Sequence, residues 1–292
     1  MRVVVAGGGA AGFFGAITCA ESLRGAEVVL LEKSPELLSK VAISGGGRCN
    51  VTHACFEPER LVTYYPRGGK ELLGAFHRWQ PRDTVRWFEQ RGVKLKTEPD
   101  GRMFPVTDDS ATIVEALVKA ARDAGVMTKI RAGLVSVSGD GSRGFELKLS
   151  HGVMTCDRLL IATGGNRATA GFGFAAALGH TILPPVPSLF TFHIEDARLR
   201  GLEGLSVQDA EVSAGGKTRP QRGPVLVTHW GLSGPAILKL SAWAARDLHD
   251  RDYDFELNVN WLGGYENHRV LEELENARAA RVKQVAAGHA LF

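Results

Sequence analysis

The residues best placed to do chemistry are glycines. Gly7-Gly8-Gly9-Ala10-Ala11-Gly12 carries the spacing Gly-x-Gly-x-x-Gly, and Glu32 follows twenty residues after Gly12. In such a run Gly7 takes a tight turn, Gly9 leaves bare backbone for a pyrophosphate, and Gly12 lets a helix pack closely on a strand. Ala10 and Ala11 open that helix, whose free N–H groups and positive dipole end face the phosphates. Glu32 offers a carboxylate to the ribose of an adenosine and repels a 2′-phosphate, so the spacing predicts FAD or NAD rather than NADP. A second run, Ser44-Gly45-Gly46-Gly47-Arg48-Cys49-Asn50, again brings backbone close to a ligand at Gly46 and Gly47. Within it Arg48 is a phosphate partner, Cys49 a small residue beside the cofactor, and Asn50 a donor and acceptor for a polar ring or ribityl chain. Thr163-Gly164-Gly165 is the third candidate contact.

Three elements must hold these residues. Val3-Val4-Val5-Ala6 is a short β-branched apolar run, read as a buried strand of a parallel sheet. A helix-compatible stretch over residues 10–23 follows, then a second apolar run, Val28-Val29-Leu30-Leu31, ending on Glu32. Together they form a βαβ unit. Arg158-Leu159-Leu160-Ile161-Ala162 is a further buried strand, expected to rejoin the same sheet and to deliver Thr163 to its carboxyl edge, where open α/β sheets bind ligands.

Composition sets the outer limits. The 292 residues suffice for one large domain or two smaller ones, and 44% apolar with 23% charged residues is ordinary for a soluble globular protein. A formal net charge of +3 without a long Lys/Arg block calls for neither nucleic acid nor an anionic membrane. The glycine-broken N-terminus, with Glu21 inside it, is not a secretory signal, and no run approaches eighteen apolar residues, so a cytoplasmic location is expected. The four cysteines, Cys19, Cys49, Cys55 and Cys156, are scattered and read as reduced thiols. Five residues separate Cys49 from Cys55, the wrong register for a flavin-linked redox pair.

Between these landmarks, residues 33–66 read as mostly irregular, residues 70–91 as helical and interrupted at Pro81, and residues 98–105 as a strand pair around Pro99-Asp100-Gly101. Asp108-Asp109-Ser110 caps a helix to about Ala124, and residues 126–156 read as a small antiparallel meander. The cluster Pro184-Pro185-Val186-Pro187 marks a boundary between residues 1–186 and 187–292. Beyond it come strands at 189–194, 207–213, 224–228 and 253–259, a helix opened by Ser233 and Pro235, and a final helix over 266–286. The helix start near His229 and Trp230 is a secondary candidate for an anion or substrate pocket. No repeat and no metal-ligand cluster is present in the sequence.

Gly7 to Gly12, Glu32-Lys33, the Ser-Gly-Gly-Gly-Arg-Cys-Asn run, Gly101-Arg102-Met103-Phe104-Pro105, Ala162-Thr163-Gly164-Gly165 and Gly231 to Pro235 together resemble one family along essentially the whole chain. It is the bacterial BaiN-type NAD(P)/FAD-dependent oxidoreductases, also known as aminoacetone-oxidase-family flavoproteins. The resemblance implies bound FAD, a Rossmann-like FAD-binding domain of α/β class with a small antiparallel meander, and an inserted mixed β/α domain on the substrate side. It implies cofactor contacts at the residues above, Lys33 and Gly165 included. It also implies a C-terminal segment completing the flavin domain, which a chain ending at Phe292 lacks.

The expected activity is hydride transfer through FAD between a small organic substrate and NAD(P)H or oxygen, with no assignable catalytic acid or base. Two alternatives stand beside it: a non-catalytic or inactive truncated dinucleotide-binding protein, and an NAD-dependent dehydrogenase using the single Rossmann unit. Oligomeric state is not legible.

Overall fold

β1 (Arg2–Ala6) and β2 (Glu27–Leu31) lie at the centre of a four-stranded sheet. Arg158–Ile161 flanks β1 and Met127–Lys129 flanks β2, and all three pairings are parallel. Each strand end therefore points the same way. In this computed structural model the described residues are 1–165, 170–216, 218–263, 265 and 267–280.

The apolar strands are buried on both sides. Val3, Val5, Val28 and Leu30 face α1 (Ala10–Ser22) and the helix Ala111–Asp123, meeting Phe13, Ile17, Ile113 and Leu117. Val4, Val29 and Leu31 face the other way, onto Val137, Leu147 and Leu149. Double coverage is why these runs are apolar at every position instead of alternating. Each fully buried Val or Leu contributes about 1.5–3 kcal/mol, so the platform under the glycine loop is rigid.

Several local readings change in three dimensions. The opposing layer is a three-stranded antiparallel meander of Leu134–Asp140, Gly144–Leu149 and Gly152–Cys156. The expected meander over 126–156 thus begins later, because Met127–Lys129 joins the parallel sheet beside β2. All three side chains of that strand are exposed, so only backbone pairing defines it. Within residues 33–66, read as mostly irregular, lie α2 (Ser39–Gly47), broken by non-helical Ser44, Gly45 and Gly46, the two-residue strand Thr52–His53, the helix Pro58–Leu61 and a 3₁₀ turn at Val62–Tyr64. Tertiary anchoring forms α2, since the Leu38 N–H donates to the Gly8 carbonyl at 2.9 Å. The helix Ala111–Asp123 receives its N-terminal side-chain bond from Asp109, whose Oδ1 accepts the Ala111 N–H at 2.8 Å. Ser110 instead donates to the Ala42 carbonyl. Helices Gly69–Phe76 and Pro81–Glu89 flank the break at Pro81, and Leu95–Thr97 pairs antiparallel with Arg102–Pro105.

The chain divides into two compact units, Met1–Leu183 and Pro184–Phe292. Within the second, a five-stranded antiparallel sheet runs in the order Phe192–His193, Gly231–Ser233, Gln221–Thr228, Ser206–Ser213, Asn258–Asn260. The helix Pro235–Trp243 buries Ala236, Ile237 and Leu240 in its core. Ser233 is not the cap: it ends a strand, and Gly234, with φ +98°, occupies the N-cap without a side-chain bond. Trp230 stands exposed at the preceding turn. The last helix is Asn267–Ala280; its expected extension from Glu266 and to Ala286 lies outside the described residues. Among the described residues no helix is long and apolar enough to cross a membrane.

Candidate functional site

Two of the three candidate stretches, the glycine loop and residues 163–165, meet at the carboxyl edge of the parallel sheet, while residues 44–50 lie against Phe104 and Ser110. β1 ends at Gly7, whose φ of +122° is open only to glycine. A Cβ there would press on the Ala162 carbonyl and stand 3.0 Å from Thr163 N, so the glycine loop abuts the Thr163 stretch directly. Gly12 has a packing role: a Cβ on it would collide with the Gly7 carbonyl oxygen and lie 3.4 Å from Leu30 Cδ1. Gly9 differs from both. It caps α1 in an extended conformation, φ −89° and ψ −174°, and a Cβ on it would meet nothing within 4 Å. The space beside Gly9 is therefore open, with backbone exposed to it.

The electrostatics of this edge suit phosphate. α1 carries no acidic residue in its own first turn, so the N–H groups of Ala10, Ala11 and Gly12 keep the positive dipole end of the helix free of a local capping carboxylate. Glu32 stands one strand over, held from both sides. Its Oε2 accepts the Gly8 N–H at 2.7 Å and its Oε1 accepts the Ser34 N–H at 2.8 Å. A carboxylate has about four lone-pair sites, so two bonds leave capacity for a pair of ribose hydroxyls. Beside Glu32 opens a cavity of about 100 Å³, lined among others by Lys33, Gly133, Leu134, Thr163, Gly164 and Phe172. Open backbone at Gly9, the bare helix start and the braced Glu32 fit the adenosine and pyrophosphate of a dinucleotide cofactor.

Sequence reading missed part of this wall. Ala132 donates its N–H to the Glu32 carbonyl at 2.8 Å and brings Gly133 and Leu134 to the cavity. Phe172 and Phe174 arrive from the helix Ala170–Ala177. The Gly-Phe-Gly-Phe repeat at 171–174 was the available signal, since a Cβ on Gly171 would strike the Thr163 hydroxyl.

The second glycine run folds as the kinked end of α2. Gly45, Gly46 and Gly47 have φ of +58°, +70° and +84°, and Cys49 also lies in the left-handed region at +58°. Gly45 is sterically required, because a Cβ would stand 2.9 Å from Asn50 N and 3.0 Å from the Phe104 ring. Gly46 and Gly47 open to empty space, as Gly9 does, and Asn50 is exposed beside them. Cys49 is buried, and burial pushes its thiol above the ordinary range. All four cysteines are free, Cys49 and Cys55 included, in keeping with the wrong register of that pair.

Arg48, expected to contact a phosphate, is engaged by protein groups in this structure. Its Nη2 donates to Glu98 Oε1 at 2.5 Å, and its guanidinium stacks 3.9 Å from the centroid of the Phe104 ring. Asp108 Oδ1 lies 3.7 Å from its Nε. With two carboxylates and a ring occupying it, Arg48 fastens the glycine run to the Leu95–Thr97 and Arg102–Pro105 hairpin. Arg48→Met is expected to cost about 1–2 kcal/mol in urea unfolding, the yield of a half-exposed ion pair plus a cation–π contact. The salt dependence of dinucleotide affinity should stay as in wild type; a flatter one would show that the guanidinium meets a phosphate after all.

Residues 1–277 match the family described as HI0933-like protein Rossmann domain. The chain belongs to this HI0933-like, FAD-dependent Rossmann family. Curated relatives agree. The ribosomal RNA dihydrouridine synthase of Escherichia coli is 31% identical over 285 residues, 94% of this chain and 67% of that protein. The protein of the same name from Haemophilus influenzae is 27% identical, covering 97% of this chain and 69% of its own length. The 3-dehydro-bile acid delta(4,6)-reductase of Clostridium scindens is 26% identical, covering 92% and 66%. The chain thus spans about two thirds of the length of these relatives. A solved flavocytochrome c3 fumarate reductase in its open conformation aligns over 71% of this chain and 46% of its own, at 21% identity and a TM-score of 0.46.

Proposed function

We propose that this chain is an NAD(P)H-linked, FAD-dependent reductase of the BaiN-type branch, adding two hydrogens across a carbon–carbon double bond. The observation that carries the cofactor half of this reading is the pairing of open backbone at Gly9 with a Glu32 braced by the Gly8 and Ser34 N–H groups. When bound, FAD supplies two-electron hydride chemistry between a nicotinamide and an organic acceptor.

The chain's own residues bind and orient. The N–H groups opening α1 hold the pyrophosphate, and Glu32 accepts from the adenosine ribose. Gly46, Gly47 and Asn50 lie along the ribityl side, where left-handed glycines turn N–H groups outward. Thr163, Gly164 and Gly165 form the opposite wall. Arg48, through Glu98 and Phe104, keeps the 44–50 run in shape without touching the ligand.

The kind of reaction is supported by the names of the relatives. A dihydrouridine synthase and a delta(4,6)-reductase both saturate a carbon–carbon double bond, though one acts on ribosomal RNA and the other on a bile acid. A small organic acceptor is the first reading for this chain, since its net charge is only +3 and it has no long basic run. A second reading, a uracil in RNA, is favoured by the higher identity to the Escherichia coli protein.

One experiment tests both halves. The purified 292-residue chain is expected to show flavin absorption bands, or to acquire them with added FAD, and to bleach when NADH or NADPH is added without oxygen. Colour should then return on adding the true acceptor, a small cyclic enone or a uridine-containing ribosomal RNA fragment. Bands that never bleach would sink the NAD(P)H link. A colourless chain that refuses FAD but binds NAD would turn the assignment to a dehydrogenase.

A further inference from the structure

Lys40 lies in the first turn of α2, one position after Ser39. The start of α2 is tied to the glycine loop through the Leu38 N–H and the Gly8 carbonyl, 2.9 Å apart. The Lys40 ammonium reaches the opposite wall. Its Nζ donates to the Gly165 carbonyl at 3.2 Å and lies 3.8 Å from where a Cβ on Gly164 would stand. One side chain therefore links a helix tied to the glycine loop with the loop that follows Thr163.

Charge separates Lys40 from the other basic candidate. Arg48 is occupied by Glu98, Asp108 and Phe104. Lys40 is exposed, and among the described residues its one hydrogen bond goes to a neutral carbonyl. An ammonium has three donors, so two remain for an incoming anion. A lysine with spare donors, on a helix whose start is tied to the glycine loop, is suited to meet phosphate charge.

We propose that Lys40 is the side chain that meets the pyrophosphate where the dinucleotide crosses from the glycine loop to residues 163–165, a reading that rests on the flavin site proposed above. The sequence contains no motif announcing it, because the contact depends on where the start of α2 is anchored and on a loop 125 residues away.

The test compares FAD, ADP and adenosine on wild type, Lys40→Gln and Lys40→Arg. FAD affinity is read by flavin fluorescence, and ADP and adenosine affinities by competition. Lys40→Gln is expected to weaken FAD and ADP about tenfold, the loss of one charge-assisted phosphate contact. Adenosine should bind as to wild type, and Lys40→Arg should recover most of the FAD affinity. Thermal unfolding of the unliganded variants should match wild type, since Lys40 is exposed. Unchanged FAD and ADP affinities in Lys40→Gln, with wild type binding FAD, would overturn the assignment of Lys40 alone. Equal weakening of ADP and adenosine would also overturn it, pointing to a distorted wall. Failure of wild type itself to bind FAD would remove the flavin site and this inference with it.

Discussion

Gly9→Ala should abolish most FAD binding while leaving the unliganded fold nearly intact. Gly9 has φ −89°, which alanine adopts without strain, and a Cβ there meets no protein atom within 4 Å. The cost to unfolding free energy is therefore the small N-cap difference between glycine and alanine, about 1 kcal/mol or less. The same methyl occupies the space a phosphate needs to reach the first-turn N–H groups. Affinity for FAD should fall at least about a hundredfold, equivalent to about 2.7 kcal/mol. Gly12→Ala should do the reverse in stability. Its Cβ would collide with the Gly7 carbonyl oxygen, a backbone atom that cannot swing aside, so the helix must lift from the sheet. That overpacking is expected to cost about 3 kcal/mol. Urea unfolding of both unliganded variants, with FAD titration of Gly9→Ala, separates the two roles. Wild-type FAD affinity in Gly9→Ala would mean that no phosphate approaches this loop.

Glu32→Ala is the second large effect, and here stability and binding should both move. In the free protein the carboxylate accepts from Gly8 and Ser34, and removing it strips two backbone N–H groups of their partner. Both sites are only part-buried and water replaces some of the loss, so about 1–2 kcal/mol of stability should go. In the complex the same carboxylate would also accept ribose hydroxyls, charged hydrogen bonds worth about 1.5–3 kcal/mol each. FAD affinity should fall by about two orders of magnitude or more. Glu32→Gln keeps the size and one acceptor oxygen and should lie between. Calorimetric titration of the three proteins decides the matter. A loss under about threefold in Glu32→Ala would reduce Glu32 to a brace for the glycine loop.

The part of this site that was legible from residues alone is the part encoded within 32 consecutive positions. A β-branched run, three glycines at fixed spacing, a helix and an acid after a second apolar run are local features, and turn sterics leave few other ways to arrange them. The strand at Arg158–Ile161 was legible from its apolar run and pairs parallel with β1 as expected, but it is not the buried strand that was expected: Arg158 and Leu160 are exposed and Leu159 and Ile161 only half-buried, because this strand is the edge of the sheet. Other features depend on partners far along the chain and leave no such mark. Met127–Lys129 has three exposed side chains and is a strand only because β2 offers it an edge. Arg48 has the composition of a phosphate ligand, yet Glu98, fifty residues on, claims its guanidinium. Lys40 has no motif around it and gains its place from Leu38 meeting Gly8 and from Gly165 lying opposite. What the amino-acid sequence determined by itself was the glycine loop, because its geometry follows from backbone sterics within one supersecondary unit. What only the tertiary structure decided was which charged side chains face that loop, because ion pairing and crevice walls are settled by residues that meet after the sheet has formed.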